Sequence, residues 1–83
     1  MDTRARIREY IVENFLFGDG EPLEDDGMSL LDNGIIDSTG VMELVAFLEG
    51  DFALNIEDEE LVPENLDSVE NLVSFVTRKQ AVA

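Results

Sequence analysis

The run Asp37-Ser38-Thr39-Gly40-Val41-Met42-Glu43-Leu44-Val45-Ala46-Phe47-Leu48-Glu49-Gly50-Asp51 decides how this chain folds. Val41, Leu44, Val45, Leu48 and Phe52 recur at i, i+3, i+4, i+7 and one step beyond, which places them on one face of a helix. The helix is expected to start at Asp37 or Ser38 and to run to about Asp51. Met42, Glu43, Ala46 and Glu49 fall outside the apolar stripe. Met42, Ala46 and Glu49 lie along one side of the helix. Gly40 in the first turn is a poor helix former, costing up to ~1 kcal/mol relative to Ala. The core face has to offset that cost.

On the N-terminal side, Ile7, Ile11 and Phe15 recur every four residues, flanked by Tyr10 and Val12. They predict an amphipathic helix from about Thr3 to Leu16, with Thr3 as its cap and Gly18 and Gly20 ending it. From Phe17 to Asp37 the period is lost among Gly18, Gly20, Pro22, Gly27 and Asn33-Gly34. A connection this long in a compact domain is usually functional or disordered. Leu23, Met28, Leu30, Leu31, Ile35 and Ile36 argue for a loop pinned against the core.

On the C-terminal side, Ile56 to Val62 reads as one or two turns of helix, stopped by Pro63. A last helix is expected after Asp67 or Ser68, with Asp67 and Glu70 in a capping-box-like pair. Val69, Leu72, Val73 and Val76 form its stripe, with Phe75 beside them. Arg78 and Lys79 in its last turn suit the negative end of the helix dipole. The expected fold is all-α, one domain over residues 1–83. It has three longer helices and one short helix around a single core, with a long first loop.

Composition narrows the function. The chain has 83 residues, 45% of them apolar, which is enough for one core and argues against a wholly disordered chain. Twenty acidic residues against five basic ones give a formal charge of −15. The basic residues are Arg4, Arg6, Arg8, Arg78 and Lys79, and the stretch from Glu9 to Thr77 holds every acidic residue but Asp2. Such a surface repels nucleic acid and anionic lipid, attracts basic protein patches and repels itself at low salt. Solubility alone is the plainer explanation of the charge. There is no Cys and no His, which excludes Cys–His nucleophiles, Ser–His–Asp triads and the usual zinc sites within this chain. Gly27, Gly20 and Gly34 do not sit in an EF-hand frame, because required ligand positions fall on Pro22, Phe15 and Leu31 respectively. No signal-peptide pattern and no membrane-length apolar run appear, so the cytoplasm is expected. A monomer is expected too.

Ser38 is the residue with chemical potential. A Ser at a helix start is usually only a cap. With no His in the chain and no Lys nearby, nothing here takes its proton. Chemistry at its hydroxyl has to come from another protein. The free N–H groups and positive dipole end of a helix favour a phosphodiester there, while Asp37 opposes a second negative charge.

The stretch Asp37 to Leu44 resembles the Asp-Ser-Leu-x-x-x-Glu-Leu signature of acyl carrier proteins. The resemblance extends over the first helix, the loop ending Ser29-Leu30-Leu31-Asp32-Asn33-Gly34, the Phe52-Ala53-Leu54-Asn55-Ile56 run, the acidic Asp58-Glu59-Glu60 turn and the final helix. It implies the acyl-carrier four-helix bundle and a carrier with no catalytic group. A separate phosphopantetheinyl transferase would move 4′-phosphopantetheine from coenzyme A to Ser38. Acyl groups would ride on its thiol and be presented to partner enzymes of fatty acid, lipid or secondary-metabolite biosynthesis. By position in the motif, Asp37 flanks the attachment site. Thr39, Met42, Glu43, Ala46, Glu49, Asp58 and Glu60 match positions that meet basic patches on ligases, acyltransferases or synthases. Thr39 and Gly40 replace the signature Leu and its neighbour, Ile35-Ile36 precede Asp37, and Gly50 stands at an otherwise acidic position. The Asn33-to-Gly40 run looks more like carriers serving separate acyl- or aminoacyl-activating ligases. The alternatives are an acidic interaction module without a prosthetic group and, less favoured, a carboxylate-based hydrolase, for which no acid–base constellation is visible.

Overall fold

In the computed structural model, which describes residues 2–81, α1 (Thr3–Phe15), α2 (Ser38–Asp51), α3 (Pro63–Leu66) and α4 (Val69–Ala81) follow in order. A 3-10 turn at Asp58–Glu60 precedes α3, and no strand occurs among the described residues. The all-α bundle of three longer helices and a short one is as expected, but the short helix lies at Pro63–Leu66, and within the expected Ile56–Val62 helix only the 3-10 turn forms.

α1 runs antiparallel to α2, and three contacts along their length show it. The ring of Phe15 lies on the first turn of α2, where a methyl group on Gly40 would come within 2.9 Å of it. In the middle, Tyr10 stacks on Phe47 with ring centres 4.0 Å apart. At the far end, Arg6 reaches the carbonyl of Asp51 at 3.1 Å and its carboxylate at 3.3 Å. Gly40 is therefore the residue that lets α1 approach α2, which explains a poor helix former in a first turn. Gly50 has no such role, because it is exposed and a methyl there meets nothing. Gly50→Ala should raise stability by up to ~1 kcal/mol, read as a higher midpoint in urea.

The core joins Ile7 and Ile11 of α1, Leu44, Val45 and Leu48 of α2, Leu66 of α3, and Val69, Leu72, Phe75 and Val76 of α4. Phe75, not Val73, belongs to the buried stripe of α4, and Val73 packs at its margin. The first loop contributes Leu23, Leu30, Ile35 and Ile36, all buried. Leu31 departs from expectation and is 39% exposed. Two consecutive residues point different ways, and the inward place belongs to Leu30.

Asp67 is the knot that ties this loop to the helices. Its backbone carbonyl accepts from Leu30 N at 2.7 Å, and its carboxylate accepts from Leu31 N at 2.9 Å and from the Ser29 hydroxyl at 2.6 Å. Asp67 is thus not the cap of α4. Ser68 is, with its hydroxyl accepting from Asn71 N at 3.0 Å. Likewise Asp2, rather than Thr3, caps α1, accepting from Ala5 N at 2.7 Å. Pro63 opens α3 instead of stopping a helix, since its missing N–H costs nothing at the first helical position.

Asp26 pins the other half of the loop. Its carboxylate pairs with Arg4 and, at 2.6 Å, with Arg8, while its carbonyl accepts from Glu70 N at 2.8 Å. Burial pushes the Asp26 carboxyl up, but hydrogen bonds and charge from Arg4 and Arg8 outweigh it and leave the pKa below the ordinary 3.8. A folded pKa below the unfolded one stabilises the fold above about 3.8, and that stability is lost as pH falls through the folded value. Asp26→Asn should therefore be less stable at neutral pH and lose less on acidification below that point, as measured by urea melts from pH 7 to pH 2.

Candidate functional site

Asp37 caps α2, with extended backbone and a carboxylate accepting from Gly40 N at 2.7 Å. Ser38 is the first residue of the helix. It is exposed, and its hydroxyl makes no hydrogen bond among the described residues. The backbone ahead of it is held by Ile35 N and Ile36 N, which donate to Leu30 O at 2.9 and 3.3 Å. Gly34 supplies the turn at φ 70°. The serine thus stands on a rigid base with a free oxygen.

Beside it lies an open cleft of about 220 Å³ lined by Leu31, Ser38, Val41, Leu61, Val62, Pro63 and Leu66. Apart from Ser38 its walls are apolar. Leu31, Leu61, Val62 and Leu66 were not expected in the site. The cleft is smaller than the roughly 300–1,000 Å³ pockets that enclose drug-sized ligands.

Around the serine, Asp37, Thr39, Met42, Glu43 and Ala46 are exposed, Met42 at 56%. Spacings of three and four residues bring Thr39, Met42, Glu43 and Ala46 together on the outer side of α2. Glu43 also lies near Tyr10, whose hydroxyl donates to the Glu43 carbonyl at 3.2 Å. Burial, then the charges of Glu43 and Asp51, pushes the Tyr10 phenol up.

The other acidic candidates stand differently. Glu49 is half-buried, and its carboxylate accepts from Ile56 N at 3.2 Å, tying down the segment after α2. Glu60 pairs with Lys79 at 2.8 Å and accepts from Glu57 N at 2.9 Å. The Lys79 ammonium first, then that backbone N–H, holds its carboxyl below the ordinary value. Asp58 is exposed at the start of the 3-10 turn.

The basic residues are spent inside the molecule. Arg4 and Arg8 serve Asp26, Arg6 serves Asp51, Lys79 serves Glu60, and Arg78 donates to Asn65 at 2.9 Å. Among the described residues Asp37, Glu43 and Asp58 have no salt-bridge partner. No described group of three or more acidic side chains is placed to hold a metal ion. No described helix is long and apolar enough to cross a membrane.

A helical bundle that offers an exposed, unbonded serine hydroxyl at a helix start, beside an apolar cleft and an acidic face, has the form of a carrier domain. No family model matches the chain. Among curated proteins it is 30% identical over 77 residues to the D-alanyl carrier protein of Streptococcus sanguinis, covering 93% of this chain and 94% of that one. It is equally similar over 77 residues to a Serratia protein named "Probable acyl carrier protein PigG", covering 93% and 87%. Among solved structures, an acyl carrier protein from Thermotoga maritima superposes with a TM-score of 0.66 at 33% identity, over 95% of this chain and 92% of that one. The chain belongs to the acyl carrier protein family.

Proposed function

We propose that this chain carries acyl or aminoacyl groups as thioesters on a 4′-phosphopantetheine arm attached to Ser38. It does so as one domain over residues 1–83, with no catalytic group of its own. One observation carries this: the exposed, unbonded Ser38 hydroxyl at the start of α2, opening on an apolar cleft. The residues fit the group. Leu31, Val41, Leu61 and Val62 would line the inner part of the arm, and the arm would supply the thiol that this Cys-free chain lacks.

Loading needs a separate transferase. The Ser38 oxygen attacks the phosphorus that bears pantetheine in coenzyme A, its proton passes to a base of the transferase, and adenosine 3′,5′-bisphosphate leaves. Asp37 holds the helix start rigid while this happens, through its bond to Gly40 N. Thr39, Met42, Glu43, Ala46 and Asp58 form the face for basic patches on the transferase and on activating ligases, acyltransferases or synthases. Glu49 and Glu60 border that face and also hold the fold. The proposed setting is a monomer in the cytoplasm.

The streptococcal relatives are named for D-alanyl groups. An aminoacyl or short acyl group, delivered by a separate ligase, is the proposed load. An acidic interaction module without a prosthetic group would leave Ser38 no role, and the relatives do not favour it. The test is incubation with coenzyme A and a broad-specificity phosphopantetheinyl transferase, read by intact mass. One added arm is expected, and an unchanged mass with several competent transferases removes the proposal.

A further inference from the structure

Phe17 is 97% exposed and sits at φ +54°, a left-handed backbone that bulky L residues disfavour. Gly18 N donates to Val12 O at 2.9 Å, closing the end of α1 around Phe17. At such helix ends the left-handed position is usually Gly, sometimes Asn. Gly34 takes φ 70°, and Ala53, just after α2, takes φ 55° with only a methyl group. At Phe17 the chain keeps an aromatic ring that the folded monomer leaves in water. Neither the backbone nor the core explains a bulky ring at this left-handed position, and a backbone outlier of this kind motivates a functional reading.

Its position says what the ring is for. Phe15, two residues earlier, lies on Gly40, two residues from Ser38. A protein acting on the Ser38 hydroxyl through an ordinary interface covers about 800 Å² on each partner, a patch of roughly 16 Å radius. That is about half of the molecule's longest dimension of 34 Å, and the Phe15–Gly40 contact puts the end of α1 within its reach. Asp19, Glu21, Glu24 and Asp25 follow Phe17, all exposed and outside any ion pair among the described residues. An apolar ring in an acidic setting is complementary to an apolar socket with a basic rim.

We infer that Phe17 is a docking anchor for the transferase that modifies Ser38, inserting its ring into such a socket on that enzyme. The inference rests on the carrier role of Ser38. It makes Phe17 a residue that weakens the free fold and strengthens the complex, so the two properties should move in opposite directions on substitution.

The test compares wild type with Phe17→Asn, Phe17→Gly and Phe17→Leu, measuring Tm and the steady-state kinetics of coenzyme A-dependent modification with two broad-specificity transferases. Asn and Gly fit the left-handed backbone, so their Tm should equal or exceed that of wild type. Their KM for the carrier should rise about tenfold with kcat within about twofold, as expected for loss of one aromatic anchor. Phe17→Leu should recover part of the KM. A KM within about twofold of wild type for both Asn and Gly variants, with both transferases, overturns the inference and leaves the carrier role standing. A clear fall in Tm for both variants also overturns it, because the ring would then be holding the fold. Failure of wild type to be modified sinks the carrier role and this inference together, and is read from wild type alone.

Discussion

Ser38→Ala should stay at its unmodified mass under conditions that load the wild-type chain completely. The effect is all or none, because the reaction forms a bond to that oxygen. The fold should not notice the change. Ser38 is exposed, its hydroxyl bonds to nothing among the described residues, and the cap of α2 belongs to Asp37. Ala is a good helix former at that position, so the change in stability should stay within about 0.5 kcal/mol. Circular dichroism and a urea melt on the same sample separate loss of the attachment atom from loss of structure. The other serines are poor substitutes. Ser29 donates to Asp67, Ser68 is buried as the cap of α4, and Ser74 lies within α4, away from a helix start. A Ser38→Ala protein that still gains one arm would place the attachment elsewhere and undo the assignment.

Leu30→Ala should nearly unfold the protein at low salt. The side chain is fully buried, and removing it in similar cores costs about 2–5 kcal/mol. A chain of this size has roughly 4–12 kcal/mol to lose, at about 0.05–0.15 kcal/mol per residue. With a formal charge of −15 it should lie toward the weak end of that range when unscreened. Leu30 also anchors the backbone in front of Ser38, since its carbonyl accepts from Ile35 and Ile36. The expected result is a much lower urea midpoint in about 20 mM salt and partial recovery in about 0.5 M salt, where the Debye length shrinks to a few ångströms. A midpoint close to wild type at both salt concentrations would mean that the loop is not part of the cooperative core.

Local pattern made α1, α2 and α4 legible, because helical periodicity is written in residues three and four apart. The Val41–Leu48 stripe was enough to place Ser38 at a helix start. The shorter elements were less readable. Pro63 is compatible with ending one helix or opening another, and only the packing of Leu66 and the course of the chain into α4 select the second. The acidic candidates were least readable of all. Glu43 and Glu49 look alike in sequence, yet one carboxylate is free and the other holds Ile56 N. Glu60 lies next to Glu59 but is paired with Lys79, nineteen residues away.

The amino-acid order alone therefore determined the helical class, the acidic surface, the absence of His and Cys and the hydroxyl at the start of α2. Each depends on composition or on neighbours within one or two turns. Tertiary structure decided the rest: Gly40 under Phe15, Leu31 in the cleft while Leu30 is buried, Asp67 as the tie of the first loop, and Phe17 left in water. Those outcomes depend on which distant groups meet, and an N–H or a methyl group finds its partner only when the helices have packed.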